Sequence, residues 1–304
     1  MTTAIAPHPD SRRHDLGDDP LGRESLLYMF QLPDQGIGLA FYTWVTRDHK
    51  TGYGAWVYGG NPDGSSIFEH RDGASVAPDA GFDDWQAFDL SISLSPDSLS
   101  STVKFTGESF QADLEFTPFH DAFLYSSHPR GCPPYFATDR LEQSGTYRGT
   151  LRFNGQEIPV DTTGHHDHSW GVRDWEAIQH YKWFEATTAD SAVHVLDISG
   201  LGTNPQMGYV HKDGLTSPIK TAEWDVDYDA ANFQTALRLD VEDHAGRQTT
   251  VTGTTYATFE FPVGPKTTLL DAVLRAEIDG EPGGGFADWL WPKDYLEHLR
   301  ARAK

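Results

Sequence analysis

A chain of 304 residues is long enough to bury one large core or two moderate ones. Its 45 Asp and Glu against 23 Lys and Arg leave a net charge of −22, which argues against a nucleic-acid binder and against docking on anionic lipid. The single cysteine, Cys132, excludes an internal disulfide and a thiolate zinc cluster, and no apolar run reaches the length of a membrane span.

Hydrophobic content is 38%, and the deficit is aliphatic because 17 Phe, 12 Tyr and 9 Trp supply the apolar surface. With 29 Gly and 18 Pro, this composition favours short strands joined by tight turns. Residues 1–20 are polar and lack the apolar core of a secretory signal, so a disordered tail and a cytoplasmic protein are expected. Period-two alternation then begins. "ESLLYMFQLP" (24–33), "IGLAFYTWV" (37–45) and "YGAWVYGG" (53–60) read as successive strands punctuated by Pro-Asp, Gly and Asp-His-Lys turns. "AFDLSISLS" (87–95) reads as one strand with Phe88, Leu90, Ile92 and Leu94 on one face, followed by "STVKFTGES" and "FQADLEFTP". The run "PRGCPPYF" (129–136) has the composition of a crossing between two β-rich halves, placing one unit over 21–135 and another over 136–304. "GTYRGTLRFNGQEIPV" (145–160) holds an Asn-Gly dipeptide between alternating runs, a strong hairpin signal. "YKWFEATT", "AVHVLDISG", "TAEWDVDYD", "TALRLDVED" and "TTVTGTTYATFEF" continue the series, and only the C-terminal "KDYLEHLRARAK" has helical character. The expected class is all-β, two barrel-like or sandwich units in one body with a short C-terminal helix.

The chemistry concentrates in "DTTGHHDHSWGVRDW" (161–175). In an extended chain His166, His168 and Trp170 share one face, and His165, Asp167 and Ser169 share the other. Three arrangements suit these residues. In a metal site His166 and His168 are ligands with a third from His180 or His194. In a buried polar corner Asp167 and Asp174 hold Arg173. In an acid–base site an imidazole is poised near neutral pH and oriented by a carboxylate or backbone group, with no metal or cofactor.

Downstream, Asp197 in "SAVHVLDISG" aligns with Val193 and Val195. A carboxyl on an apolar wall has its pKa raised and is a candidate proton donor, whereas at a strand end it accepts turn amides instead. Glu142 is expected to pair with Arg148 or Arg173. Trp44, Trp56, Trp85, Tyr181, Trp183 and Trp224 stand at strand spacing, either as core or as the lining of a pocket for a large unsaturated ligand.

The stretch "RLEQSGTYRGTLRFNGQEIPVDTTGHHDHSWGVRDW" (140–175) resembles the central signature of the CrtC-like superfamily, which includes carotenoid 1,2-hydratases and AttH-like proteins. "GRESLLYMFQLPDQGIG" and "AEIDGEPGGGFADW" are similar to that group's first and closing strands. The resemblance implies two lipocalin-like β units in tandem with a ligand cavity between or within them. It also implies that His168 and Trp170 of "HSWG" line the pocket, and that Asp197 protonates an isoprenoid double bond before water captures the cation. Val195 stands where the hydratases carry a tyrosine, and the chain is nearer to members carrying "DHSWG". The function so implied is a cofactor-independent hydratase, dehydratase, isomerase or cyclase for a hydrophobic unsaturated molecule such as an isoprenoid or polyketide. Asp197 would be the acid and His168 the base or water-orienting group, with His166 and Asp167 tuning the site. Trp170, Tyr181, Trp183, Trp44, Trp56 and Val195 would form the pocket wall. The alternative is a non-catalytic lipocalin-like carrier of an apolar ligand. Either would be a monomer or homodimer without stable membrane insertion.

Overall fold

The computed structural model describes residues 12–303. Two antiparallel meanders open the chain, β1 (Gly22–Leu32) to β4 (Ile67–Ser75) through β2 (Ile37–Thr46) and β3 (Lys50–Gly59), then β5 (Trp85–Ala87) to β8 (Phe110–Pro118) through β6 (Leu90–Leu94) and β7 (Ser101–Thr106). The long hairpin of β10 (Asp139–Phe153) and β11 (Gln156–Val172) joins them, giving the order β4-β3-β2-β1-β11-β10-β8-β7-β6-β5. The short β9 (Phe123–Leu124) pairs with β10. The sheet curls around Tyr28, Phe30, Phe41, Trp85, Phe105, Phe116 and Tyr147, all fully buried. Its end strands are not paired; instead Glu69 on β4 accepts the amides of Glu108 (3.0 Å) and Ser109 (2.7 Å) from the turn after β7.

The second body is a closed eight-stranded barrel in simple chain order, β12 (Ile178–Thr187), β13 (Ala192–Gly200), β14 (Gln206–Lys212), β15 (Leu215–Tyr228), β16 (Gln234–Asp243), β17 (Gln248–Pro262), β18 (Thr267–Ile278) and β19 (Glu281–Pro292). Pairing of β12 with β19 removes both edges. A helix, α1 (Lys293–Arg302), follows. Phe184, Val193, Val195, Leu239, Val241, Leu274 and Trp289 fill the barrel. Alternate residues of the same strands, Tyr181, Trp183, Leu196, Tyr209 and Phe286, instead pack with Met29, Trp56 and Tyr58 of the first sheet and with Phe136 of the segment before β10. No helix among the described residues is long and apolar enough to cross a membrane.

The Asn-Gly hairpin forms as expected, with φ of 52° at Asn154 and 72° at Gly155 between the paired Phe153 and Gln156. That hairpin also moves the expected boundary. It pairs β10 with β8 and β11 with β1, so residues 139–172 stay in the first sheet and the bodies divide at 173–177 rather than at 135–136. "PRGCPPYF" accordingly does not link the two units; it leads into β10, with Tyr135 and Phe136 buried between the bodies. "AFDLSISLS" is a hairpin rather than one strand. Phe88 turns with φ of 54° and Ala87 pairs with Leu90, because Arg71 sits 4.5 Å over the Phe88 ring and bonds Asp89 at 3.0 Å. Leu90, Ile92 and Leu94 remain on the core face. Residues 1–11 of the expected tail lie outside the described residues, but the part just after them is ordered on the sheet. His14 bonds Glu24 at 2.8 Å and stacks on Trp170 with centroids 3.7 Å apart.

Candidate active site

A cavity of about 280 Å³ lies between the curled sheet and the barrel. Strands β1 to β3 contribute Leu27, Met29, Tyr42, Trp44, Trp56 and Tyr58, and the outer face of the barrel contributes Tyr181, Trp183, Leu269 and Phe286. These rings leave a largely apolar enclosure with two polar regions.

The first is a carboxyl pair. Asp271 on β18 and Asp288 on β19 are direct cross-strand partners, so their side chains emerge together into the cavity. The Tyr58 hydroxyl donates to Asp271 Oδ2 at 3.0 Å, and the Tyr181 hydroxyl donates to Asp288 Oδ2 at 2.8 Å. Burial drives both carboxyls toward the neutral form, and for Asp271 the neighbouring Asp288 charge adds to the effect. The two titrate as one unit that keeps a proton near neutral pH. Among the described residues no donor reaches Asp288 Oδ1; a proton shared with Asp271 would serve it.

The second region is cationic. Arg140 is ion-paired with both Glu142 and Asp167, and burial pushes Asp167 up to about 6 in spite of that guanidinium. Arg173 donates to Ser169 Oγ at 2.8 Å and lies over the rings of Phe136 and Trp175. Arg23 lies over Trp44 at 4.6 Å and Tyr42 at 5.2 Å. Behind this wall, Glu142 accepts His165 Nε2 at 2.6 Å and lies 3.3 Å from His194 Nε2, which also receives the Tyr125 hydroxyl at 2.7 Å.

Among the described residues two groups have donor atoms close enough to hold a metal ion, Glu142 with His165 and His194, and Glu24 with His14 and His168. In each an arginine already serves the carboxylate, Arg140 on Glu142 and Arg13 at 3.6 Å from Glu24. A divalent cation there would meet a fixed positive charge, so both groups fit buried charge networks better than metal centres.

Of the residues expected at a site, Trp44, Trp56, Tyr181, Trp183 and Asp167 line the cavity together. The alternation along β11 is as expected, but its two faces exchange roles. His166, His168 and Trp170 point into the core of the first sheet, because the sheet curls toward that face, while Asp167 and Ser169 face the cavity. His166 stacks on Tyr28 at 4.2 Å and bonds the Leu27 carbonyl at 2.9 Å, and burial pushes it down to about 3, leaving it neutral rather than poised. His168 Nε2 bonds Glu24 at 2.8 Å. Asp197 and Val195 also miss the cavity, since β13 turns that face into the barrel. There Asp197 accepts Gln206 Nε2 at 3.0 Å, opposite Lys182. Neither His180, which bonds the Leu290 carbonyl at 2.6 Å, nor His194 joins His166 and His168. Glu142 pairs with Arg140 rather than with Arg148 or Arg173, and Asp174 caps the amides of Glu176 and Ala177 rather than holding Arg173.

The residues that sequence reasoning missed are Asp271, Asp288, Tyr58, Arg23 and Arg140. A signal for Asp271 was present in "TTLLDAVL", a carboxyl in an apolar strand of the kind that drew attention to Asp197. Nothing local marks Asp288 as its partner, because that pairing is a matter of register.

Three solved structures share this architecture. NE1406 of Nitrosomonas europaea, described as an AttH, is 14% identical with a TM-score of 0.65, over 88% of this chain and 91% of that one. Kievitone hydratase from Nectria haematococca is 12% identical with a TM-score of 0.59, over 96% and 95%. CghA is 14% identical with a TM-score of 0.64, over 90% and 89%. Likeness at these identities is one of fold. No curated protein matches the chain. The family described as domain of unknown function DUF7064 matches residues 7–293, and the chain therefore belongs to that family.

Proposed function

We propose that the protein is an acid–base enzyme acting on a hydrophobic, unsaturated small molecule, by hydration, dehydration, isomerisation or cyclisation without a cofactor. The observation that carries this reading is the Asp271–Asp288 pair, a proton-holding carboxyl couple set in an aromatic cavity. Such a pair is both acid and base: it gives its proton to a substrate double bond or carbonyl oxygen, and the carboxylate left behind takes one from water or an adjacent carbon. Tyr58 and Tyr181 hold that carboxylate by donating to it. Trp56 and Trp183 line the cavity, and an aromatic ring beside the substrate favours a developing positive charge. Kievitone hydratase is by name a hydratase, and the resemblance of residues 140–175 to the CrtC-like superfamily supports the same reaction class. Asp197 has no part in this scheme, and His166 and His168 support the first sheet instead.

The test is solvent deuterium incorporation into a panel of apolar polyenes, enones and prenylated phenols, followed by mass spectrometry. We expect at least one compound to exchange or take up water with the wild type, and the rate to fall about 100-fold in Asp271→Asn and Asp288→Asn. Exchange that survives unchanged in both variants overturns the assignment. Binding of panel compounds with no exchange in any of them returns the protein to the class of carriers.

A further inference from the structure

We infer that the ligand of this cavity carries an acidic head group, a carboxylate or an enol of similar acidity, gripped by Arg23 and Arg173. The inference rests on the cavity being the ligand site proposed above and adds the class of molecule it takes.

Three arginines line the cavity and only one is neutralised. Arg140 has Glu142 and Asp167. Arg173 forms no ion pair with any carboxylate among the described residues; its hydrogen bond goes to the neutral Ser169 hydroxyl and its plane is flanked by Phe136 at 4.4 Å and Trp175 at 5.4 Å. Among the described residues Arg23 likewise pairs with no carboxylate, and its buried Nε has no hydrogen-bond partner. Both guanidiniums are half-buried and stacked on rings, which fixes their planes and lowers the entropy lost on binding. In a chain with 45 acidic residues, two unpaired arginines on one wall are not a consequence of composition.

Electrostatics points the same way. Burial lowers the Arg173 pKa, and the charges of Arg140 and Arg23 add to it against the opposing influence of Tyr42 and Asp167. An oxyanion placed between Arg23 and Arg173 removes that repulsion and supplies the acceptors their forks lack. Ser25 and Ser169, whose hydroxyls lie 3.0 Å apart on the same wall, offer further polar contacts. The head group would also lie near the chemistry. Arg23 and Arg173 line the same cavity as Tyr181, the residue that donates to Asp288. One small molecule can therefore span both regions, its acid on the arginines, its unsaturated body against Trp44, Trp56 and Trp183, and its reacting carbon at the carboxyl pair.

The experiment compares two fluorescent probes with one ring skeleton, anionic anilinonaphthalene sulfonate and neutral N-phenylnaphthylamine, titrated into the full-length protein. We expect the sulfonate to bind about tenfold more tightly than the neutral amine. Arg173→Gln and Arg23→Gln should each erase most of that preference while leaving the affinity for the neutral probe within about twofold. Arg173→Lys, which keeps the charge and loses the fork, should fall between and guards against a folding defect in the glutamine variant. Equal affinity for the two probes, or a preference that survives the Arg23→Gln/Arg173→Gln double variant, overturns the inference. Failure of both probes to bind overturns it together with the cavity reading. A preserved anion preference with no proton exchange in any compound leaves the head-group inference standing and removes only the enzyme.

Discussion

The interface between sheet and barrel holds two carboxyl clusters of opposite character. Glu142 and Asp167 surround Arg140, and that guanidinium together with His165 and His194 holds Glu142 ionised, below the ordinary carboxylate range, against the cost of burial. Asp271 and Asp288 form no ion pair among the described residues and have tyrosine hydroxyls and each other instead; burial drives both toward the neutral form, with Arg140 offsetting part of the effect at Asp288. Burial alone thus does not decide protonation here: Glu142, with Arg140 and two imidazoles around it, is held ionised, while Asp167 is pushed up to about 6 in spite of the same guanidinium. Both clusters reach the cavity, the first through Arg140 and Asp167 and the second through Asp271 and Asp288.

Removing that positive charge should break the contrast with the largest effect. Arg140→Met leaves two buried carboxylates uncompensated and should cost about 3–5 kcal/mol of stability, read by chemical denaturation near neutral pH. The loss should shrink as pH falls and the carboxyls take up protons; a pH-independent loss would mean that packing rather than charge was removed. Next in size is the loss of exchange in Asp271→Asn and Asp288→Asn, on the order of 100-fold, because either change abolishes the shared proton.

Glu185 sharpens the contrast, since it lies at the same interface with no ion pair among the described residues either. Burial pushes it up to about 8, with Gln31 Nε2 donating at 2.6 Å and its second oxygen unpartnered. Its pKa is raised on folding, so the folded chain holds an extra proton between the unfolded value of 4.5 and about 8. Stability from this group is complete below pH 4.5 and is lost as pH rises toward 8. Glu185→Gln should therefore stabilise the protein at pH 8 by roughly 2–4 kcal/mol and have little effect at pH 4.5. A pH-independent change in melting temperature would contradict it. The smallest effect is expected at Asp197, whose environment contains Gln206 and Lys182 and no second carboxyl partner. Asp197→Asn should leave proton exchange within about threefold of wild type, and a loss matching that of Asp288→Asn would move the acid into the barrel.

Much of the fold was legible because it depends on local pattern. Alternation marked most strands, the Asn154-Gly155 turn fixed its own hairpin, and the helical character of "KDYLEHLRARAK" marked α1. The Phe88 turn was not legible, since it is pinned by Arg71 from a distant strand. Of the residues expected at a site, Trp44, Trp56, Tyr181, Trp183 and Asp167, singled out by residue type and spacing, line the cavity. Asp197 and Asp271 looked alike, as carboxyls in apolar strands of one barrel, yet they emerge on opposite sides of its wall.

The sequence by itself determined which residues share a face, because alternation is a property of one strand and needs no partner. It thereby separated His166, His168 and Trp170 from His165, Asp167 and Ser169 correctly. Only the tertiary structure decided which face meets the cavity, since that depends on the direction in which the sheet curls and on what packs outside it. It also decided the pairing of Asp271 with Asp288, 17 residues apart in sequence and adjacent through the β18–β19 register. Whether a carboxyl there is an acid or a salt-bridge partner then follows from distance to charge in three dimensions, a quantity that no single strand contains.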